Sequence, residues 1–317
     1  MVDKIYNKRQ HFKYRSTNVF MDLPESIGNS LVTELLLAEC ALILRNSLLL
    51  STLLTNSDAW YGLNKQDVDV LEKIDVQLLR RIFEVPFSCP KEMLYLETGC
   101  LPISSIIVSR RLLYLHTILN EDKNSLVFKV FNAQLANPDK GDWVLEVLKN
   151  LEDCEIKETF QEIEKMSIFK FRNLVAKAVR EMTFKKLVKL KNSHTKVKHI
   201  NYVKFEMQNY LRSDLFSNYE AKFTFQARCR MLQVKLNFSQ SHKDQFCPVC
   251  KNLSFKDDQA HLLHCIKLQS DTILVSDLPE YENLFSKDVK KIVVVVKLLK
   301  VNLEKRKQID KDEKKNQ

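Results

Sequence analysis

Glycine is nearly absent: the 317 residues hold four, at Gly28, Gly62, Gly99 and Gly141. Ordinary usage is roughly 7%. The two closest, Gly28 and Gly62, lie 34 residues apart, so neither a G-x-G-x-x-G dinucleotide turn nor a Walker-type phosphate loop can be written. Nucleotide-binding α/β enzymes of the common kinds are excluded. Tight hairpin turns are also short of glycine, which favours helices over a sandwich or barrel. Long apolar runs are missing too. Leu35 to Ala38 and Ile292 to Val296 are broken by Glu34, Glu39, Arg45 and Lys297, far short of the ~20 residues of a membrane span. The first ten residues have no apolar stretch of a signal peptide. An intracellular location, nucleus or cytoplasm, is therefore expected, with reduced cysteines and no disulfide frame.

What remains is mainly α, with 45% apolar residues, enough for sizeable cores. Segment 1–29 is expected to be poorly ordered. A buried helix is expected over 30–55. Asn64 caps the next, whose apolar positions Val68, Leu71, Ile74, Leu78 and Ile82 recur at steps of three and four. Ser88 is expected to cap a short helix with Pro90 in its first turn, and Ile103 to Leu119 forms another. Helical pattern returns from Ser167 to about Leu211 and from Ser217 to about Leu232, and a helix after Ser286, ending in Glu304-Lys305-Arg306-Lys307, leads into a disordered Lys-rich end. Cys40, Cys89, Cys100, Cys154 and Cys229 lie singly and read as small buried hydrophobes. His116 reads as a satisfied core residue.

The strongest local signal is Cys247-Pro248-Val249-Cys250, then ten residues, then His261 and Cys265. This C-x2-C-x10-H-x3-C spacing suits tetrahedral zinc, because the Cys-x2-Cys turn brings two thiolates onto one ion and residues four apart share a helical face. His264, beside Cys265 and about 100° away on a helix, cannot easily join it on the same metal. With four protein ligands the zinc would be structural. Phe255-Lys256-Asp257-Asp258 has the form of a polymerase carboxylate pair, but it lacks a third acidic ligand on a neighbouring strand. It reads as an accident of a hydrophilic loop.

The net charge is +10, and residues 184–238, with 12 basic and three acidic side chains, carry +9 of it. Such clustering points to a polyanion. Lys185, Lys186, Lys189, Lys191, Lys196, Lys198 and Lys204 are interleaved with aromatic residues that could stack on bases, and Lys222, Arg228 and Arg230 follow. The bland alternative is a solvated helical face.

Asn56 to Leu63, Leu78 to Arg81, Lys91 to Pro102, Ser109-Arg110-Arg111 with Tyr114-Leu115-His116, and Lys140 to Trp143 occur in order. With Arg228-Cys229-Arg230-Met231 and the Cys247 to Cys265 segment, they resemble the C-terminal part of the polyprotein of non-LTR (LINE-type) retrotransposons, from about Leu42 to Leu268. The resemblance implies a thumb-like helical domain at 30–135, a basic helical linker at 136–238, a CCHC zinc module at 239–270 and a C-terminal helix and tail at 271–317. It also implies that the chain begins where the palm ends, so no catalytic carboxylates are expected and the chain is not expected to be an enzyme. The expected function is binding of RNA, DNA or an RNA–DNA hybrid, alone or beside the catalytic part of such a polymerase, with no membrane or small-molecule partner. A zinc-stabilised protein-interaction scaffold is the alternative.

Overall fold

The computed structural model describes residues 38–241, 244–269 and 278–315, so the expectation for 1–29 lies outside the described residues. The fold is mainly α, and no strand occurs among the described residues. Helices α1 (Ala38–Leu44) and α2 (Leu50–Leu53) are joined by a π-helical turn, Arg45–Leu49. They are followed by α3 (Lys65–Phe83), α4 (Lys91–Thr98), α5 (Ile103–Leu119), α6 (Leu126–Ala136), α7 (Trp143–Asp153), α8 (Phe160–Lys165) and the long α9 (Ile168–Asn192). Helices α10 (Asn218–Arg228), α11 (Gln259–His264) and α12 (Val289–Lys315) complete the set among the described residues. Among the described residues no helix is long and apolar enough to cross a membrane.

Several starts follow from capping chemistry. Asn64 accepts from the Asp67 N–H at 3.0 Å while the Asp67 carboxylate accepts from the Asn64 N–H at 3.1 Å. This capping box opens α3 and satisfies donors that the first turn leaves unpaired. Ser217 and Glu220 open α10 in the same way. Ser88 does not cap α4; Pro90 holds that position.

Two helices stop earlier than their sequence pattern. The 167–211 pattern is broken at Asn192, where Lys191 folds its amine back onto the carbonyl oxygens of Val197 at 3.3 Å, Lys198 at 3.0 Å and Ile200 at 2.5 Å. That clamp satisfies the carbonyls of an irregular segment and turns the chain. Helix α10 ends at Arg228, not near Leu232, because Arg230 takes a left-handed backbone with φ 59°, which interrupts the helical ladder. Helix α12 instead continues past Lys307 to Lys315.

Three cores form. The largest joins Ala41, Leu79, Met93, Leu187, Phe225, Cys247, Leu262 and Leu299, and so takes residues from both sides of each expected boundary between 135 and 271. A second unites α5 with α6, α7, α8 and the first half of α9 through Leu115, Phe131, Val147, Ile163 and Val175. The third packs α2 against α3 and α5. Helix α9 spans the first two, with Val175 and Val179 in one and Leu187 in the other.

The ordered sequence motifs meet one another in space. Arg110 donates to the Leu54 carbonyl, and Arg111 donates to the Trp60 carbonyl at 2.8 Å and pairs with Glu146 at 2.5 Å. Glu146 accepts the Gly62 N–H at 2.7 Å, and the Trp143 indole donates to the Asp58 carbonyl at 2.9 Å. The Asp58 to Gly62 turn is thus held by α5 and α7. Arg45, 1% exposed, pairs side-on through Nε and Nη2 with buried Asp75 at 2.5 and 2.6 Å, and Tyr95 donates to the same carboxylate at 3.1 Å. Gly99 ends α4 with φ 65°, and a Cβ there would lie 2.4 Å from the Met207 nitrogen. Only glycine lets the 206–208 backbone pass so close, and Gln208 donates to the Glu97 carbonyl at 3.0 Å.

Candidate metal centre and basic surface

The metal-ligand candidates are built by a turn and a short helix. The backbone pairs Cys247 N–H with the Phe255 carbonyl at 3.2 Å and Asp257 N–H with the Gln245 carbonyl at 2.7 Å. Between them Lys251 takes φ 52° to close the turn, and Lys251 N–H bonds the Cys247 carbonyl at 3.1 Å. This brings Cys247 and Cys250 to one side. Asp258 accepts from His261 N–H at 2.7 Å and starts α11, which delivers His261. Cys265 reaches the group from an extended residue past the last turn, not from a shared helical face.

The donor atoms of Cys247, Cys250, His261 and Cys265 all lie within 4.8 Å of one another and could hold a metal ion. Cys247 and Cys265 sulfurs are 4.0 Å apart, and Cys250 Sγ is 3.5 Å from His261 Nε2. The Cys265 thiol and then the Cys250 and Val249 N–H groups hold the Cys247 thiol down to about 4. Cys265, whose proton is shared with Cys247, moves upward. A ready thiolate is the ligand form of cysteine. His264 turns away and bonds the Pro279 carbonyl at 3.1 Å. Four of the five single cysteines are buried, whereas Cys40, expected to be buried, is exposed.

Support comes from residues that sequence reasoning missed. Asp257, read as part of a hydrophilic loop, is 1% exposed. It takes both terminal nitrogens of Arg306 at 2.7 and 2.8 Å and the Lys235 N–H at 2.7 Å. Asp258 caps α11, so both carboxylates have structural duties. Gln259, fully buried, bonds Ala227, Asn237 and Tyr281, each at 2.8 Å. From α12, Asn302 donates to the Leu262 and Leu263 carbonyls at 2.9 and 3.2 Å, and Lys305 to that of Leu268 at 2.8 Å. No local motif announced these partners; the helical periodicity of 289–309 was the available signal.

The ten basic candidates divide. Lys186, Lys189, Lys198 and Lys204 are exposed, with no carboxylate partner among the described residues. Lys185 is exposed and pairs with exposed Glu155 at 2.7 Å. Lys196 is an exposed residue, yet its amine donates to the Asn237 carbonyl. Arg230 is half-buried, with its guanidinium 4.7 Å from the Tyr281 ring centre.

Three candidates are not on the surface. Lys191 is buried in its carbonyl clamp, where desolvation lowers its pKa. Lys222 is buried against Glu84 at 2.6 Å. Arg228 is buried with its Nε 3.0 and 2.9 Å from the two Glu97 oxygens and its Nη1 2.7 Å from the Leu284 carbonyl. Glu97 also accepts from the hydroxyls of Tyr202 and Tyr210. Burial opposes the Arg228 charge, but Glu97 outweighs it and raises the pKa; burial and Glu97 push both tyrosines well above 10.0. These three basic groups stabilise the fold and are withdrawn from any open phosphate-binding face.

Compared with family models, with curated proteins and with solved structures, the chain gives no match in any of the three.

Proposed function

We propose that this chain is a nucleic-acid-binding helical module stabilised by a structural zinc ion and related to the C-terminal part of a non-LTR retrotransposon reverse transcriptase. It acts as a binding module and not as a polymerase. The observation that carries the binding role is the exposed set Lys186, Lys189 and Lys198, which projects without carboxylate partners among the described residues. Phosphates contacted there would contribute affinity with little base readout. Tetrahedral zinc, with Zn–S about 2.3 Å and Zn–N about 2.0–2.1 Å, sets S···S near about 3.8 Å and S···N near about 3.5 Å. The observed 4.0 and 3.5 Å fit that geometry.

Two measurements test this reading. Anisotropy titration of an RNA–DNA hybrid should show binding whose logarithm falls linearly with the logarithm of salt, with a smaller slope for the K186E/K189E variant. Salt-independent binding, or none, refutes the nucleic-acid role. Elemental analysis should find one zinc per chain, and Cys250→Ser should lose it and loosen the 245–268 segment. A preparation that is folded and free of metal refutes the zinc assignment.

A protein-interaction scaffold is the second reading. It is favoured by α6, where Leu126 is 77% exposed and Val127 and Val130 are 43% and 48% exposed. Charge reversal at Lys185, Lys186 and Lys189 separates the two, since it harms phosphate contacts and spares an apolar interface.

A further inference from the structure

A cavity of about 310 Å³ opens over the Glu97–Arg228 pair. The 201–210 segment forms one wall, placed there by the close pass over Gly99. Phe285, Ser286, Lys287 and Ile292 form the other. Arg228, 3% exposed, lies at the floor. Its Nε is taken by Glu97 and its Nη1 by Leu284, which leaves Nη2 with no hydrogen-bond partner among the described residues. The Tyr210 and Phe285 ring centres lie 5.4 and 5.2 Å from the guanidinium carbon and fix its plane. Lys204 and Lys287 stand exposed in the lining, Asn201 and Asn209 add amides, and Glu206 is the carboxylate there.

We propose that this cavity binds a phosphate monoester carried on an organic group, either a free nucleoside monophosphate or the terminal phosphate of a nucleic-acid strand. The Arg228 N–H and the two ammonium groups offer more donors than Glu206 can occupy, and so suit a phosphate with its several acceptor oxygens. The volume exceeds what inorganic phosphate fills and sits at the small end of the ~300–1,000 Å³ of organic ligand sites. Lys287 and Arg228 take no part in the α9 lysine surface, so the cavity stands or falls separately from it.

The test uses the full chain. Isothermal titration compares adenosine 5′-monophosphate with adenosine, and anisotropy compares a 5′-phosphorylated RNA with its 5′-hydroxyl twin. The monophosphate should bind at least about tenfold more tightly than adenosine, as charge-assisted hydrogen bonds require. Lys287→Glu, at an exposed position, should abolish that preference and leave binding of the 5′-hydroxyl RNA unchanged. A similar preference for the phosphorylated strand identifies the strand end as the source; preference for the monophosphate alone identifies a free nucleotide. The K186E/K189E variant should weaken both RNAs equally and spare the monophosphate, so failure of the α9 reading is distinguishable. Equal binding of monophosphate and adenosine, or binding of neither, overturns the proposal.

Discussion

Lys186 and Lys189 on the outer face of α9 and Lys191, two residues on and round to the inner side, belong to one sequence cluster and meet opposite environments. The first two stand in solvent, whereas Lys191 is 1% exposed and gives its amine to three carbonyls. The same split separates Lys198 from Arg228. Charge clustering in a sequence therefore mixes two populations, one that can meet a polyanion and one that closes loops and ion pairs inside the fold. A long aliphatic stem allows both fates, and the position of the nearest carbonyl or carboxylate decides between them.

Substitutions can break that contrast, and the largest effect is expected inside. Arg228→Ala leaves Glu97 buried and charged, and removal of one member of a buried pair costs about 3–5 kcal/mol. Chemical denaturation should show this, and an unchanged midpoint would place Arg228 among the solvent-facing groups. Lys191→Met keeps the stem and orphans three carbonyl oxygens, with an expected loss of about 1–3 kcal/mol. If the loss is nil, the clamp does not fix the turn after α9.

The next effect is smaller and depends on pH. Glu220, at the start of α10, is held below its ordinary 4.5 by the Ser217 N–H. Because its folded pKa is depressed, its stabilisation is present above the ordinary carboxylate range and is lost as pH falls through the folded value. Glu220→Gln should flatten that part of the stability profile between about pH 3 and 5. A profile identical to that of the parent would show that the capping box contributes nothing. Lys186→Ala and Lys189→Ala close the series, with stability changes within about ±0.5 kcal/mol and a measurable loss of nucleic-acid affinity at low salt. A large loss of stability would move them into the structural population.

The sequence was most legible where local chemistry decides. Asn64 and Ser217 announce their helices because cap and N3 carboxylate lie three residues apart, and Ile103 to Leu119 is bounded by Pro102 and Asn120. The four metal-site residues were legible for the same reason, since their spacing is a property of one short segment. Features that depend on distant residues were not. Asp257 reads as loop because its partner Arg306 lies 49 residues away. Arg228 reads as surface because Glu97 lies 131 residues away. The helical pattern to Leu211 failed for a different, local reason: the Lys191 amine clamps carbonyls six to nine residues ahead, which periodicity does not register, and turns the backbone after Asn192.

The clasp of α12 over the metal segment has a consequence for the order of assembly during synthesis. All four ligands exist once Cys265 has been made, whereas Asn302, Lys305 and Arg306 follow later. At about 5–20 residues per second, the 49 residues between Asp257 and Arg306 amount to roughly 2–10 s of elongation. Asp257 lacks its guanidinium for that interval, and from Cys265 onward, for all but its first eight residues, the four candidate ligands are already present. An ion held by these four residues would therefore be captured first, and the last helix would close over a segment already shaped around it.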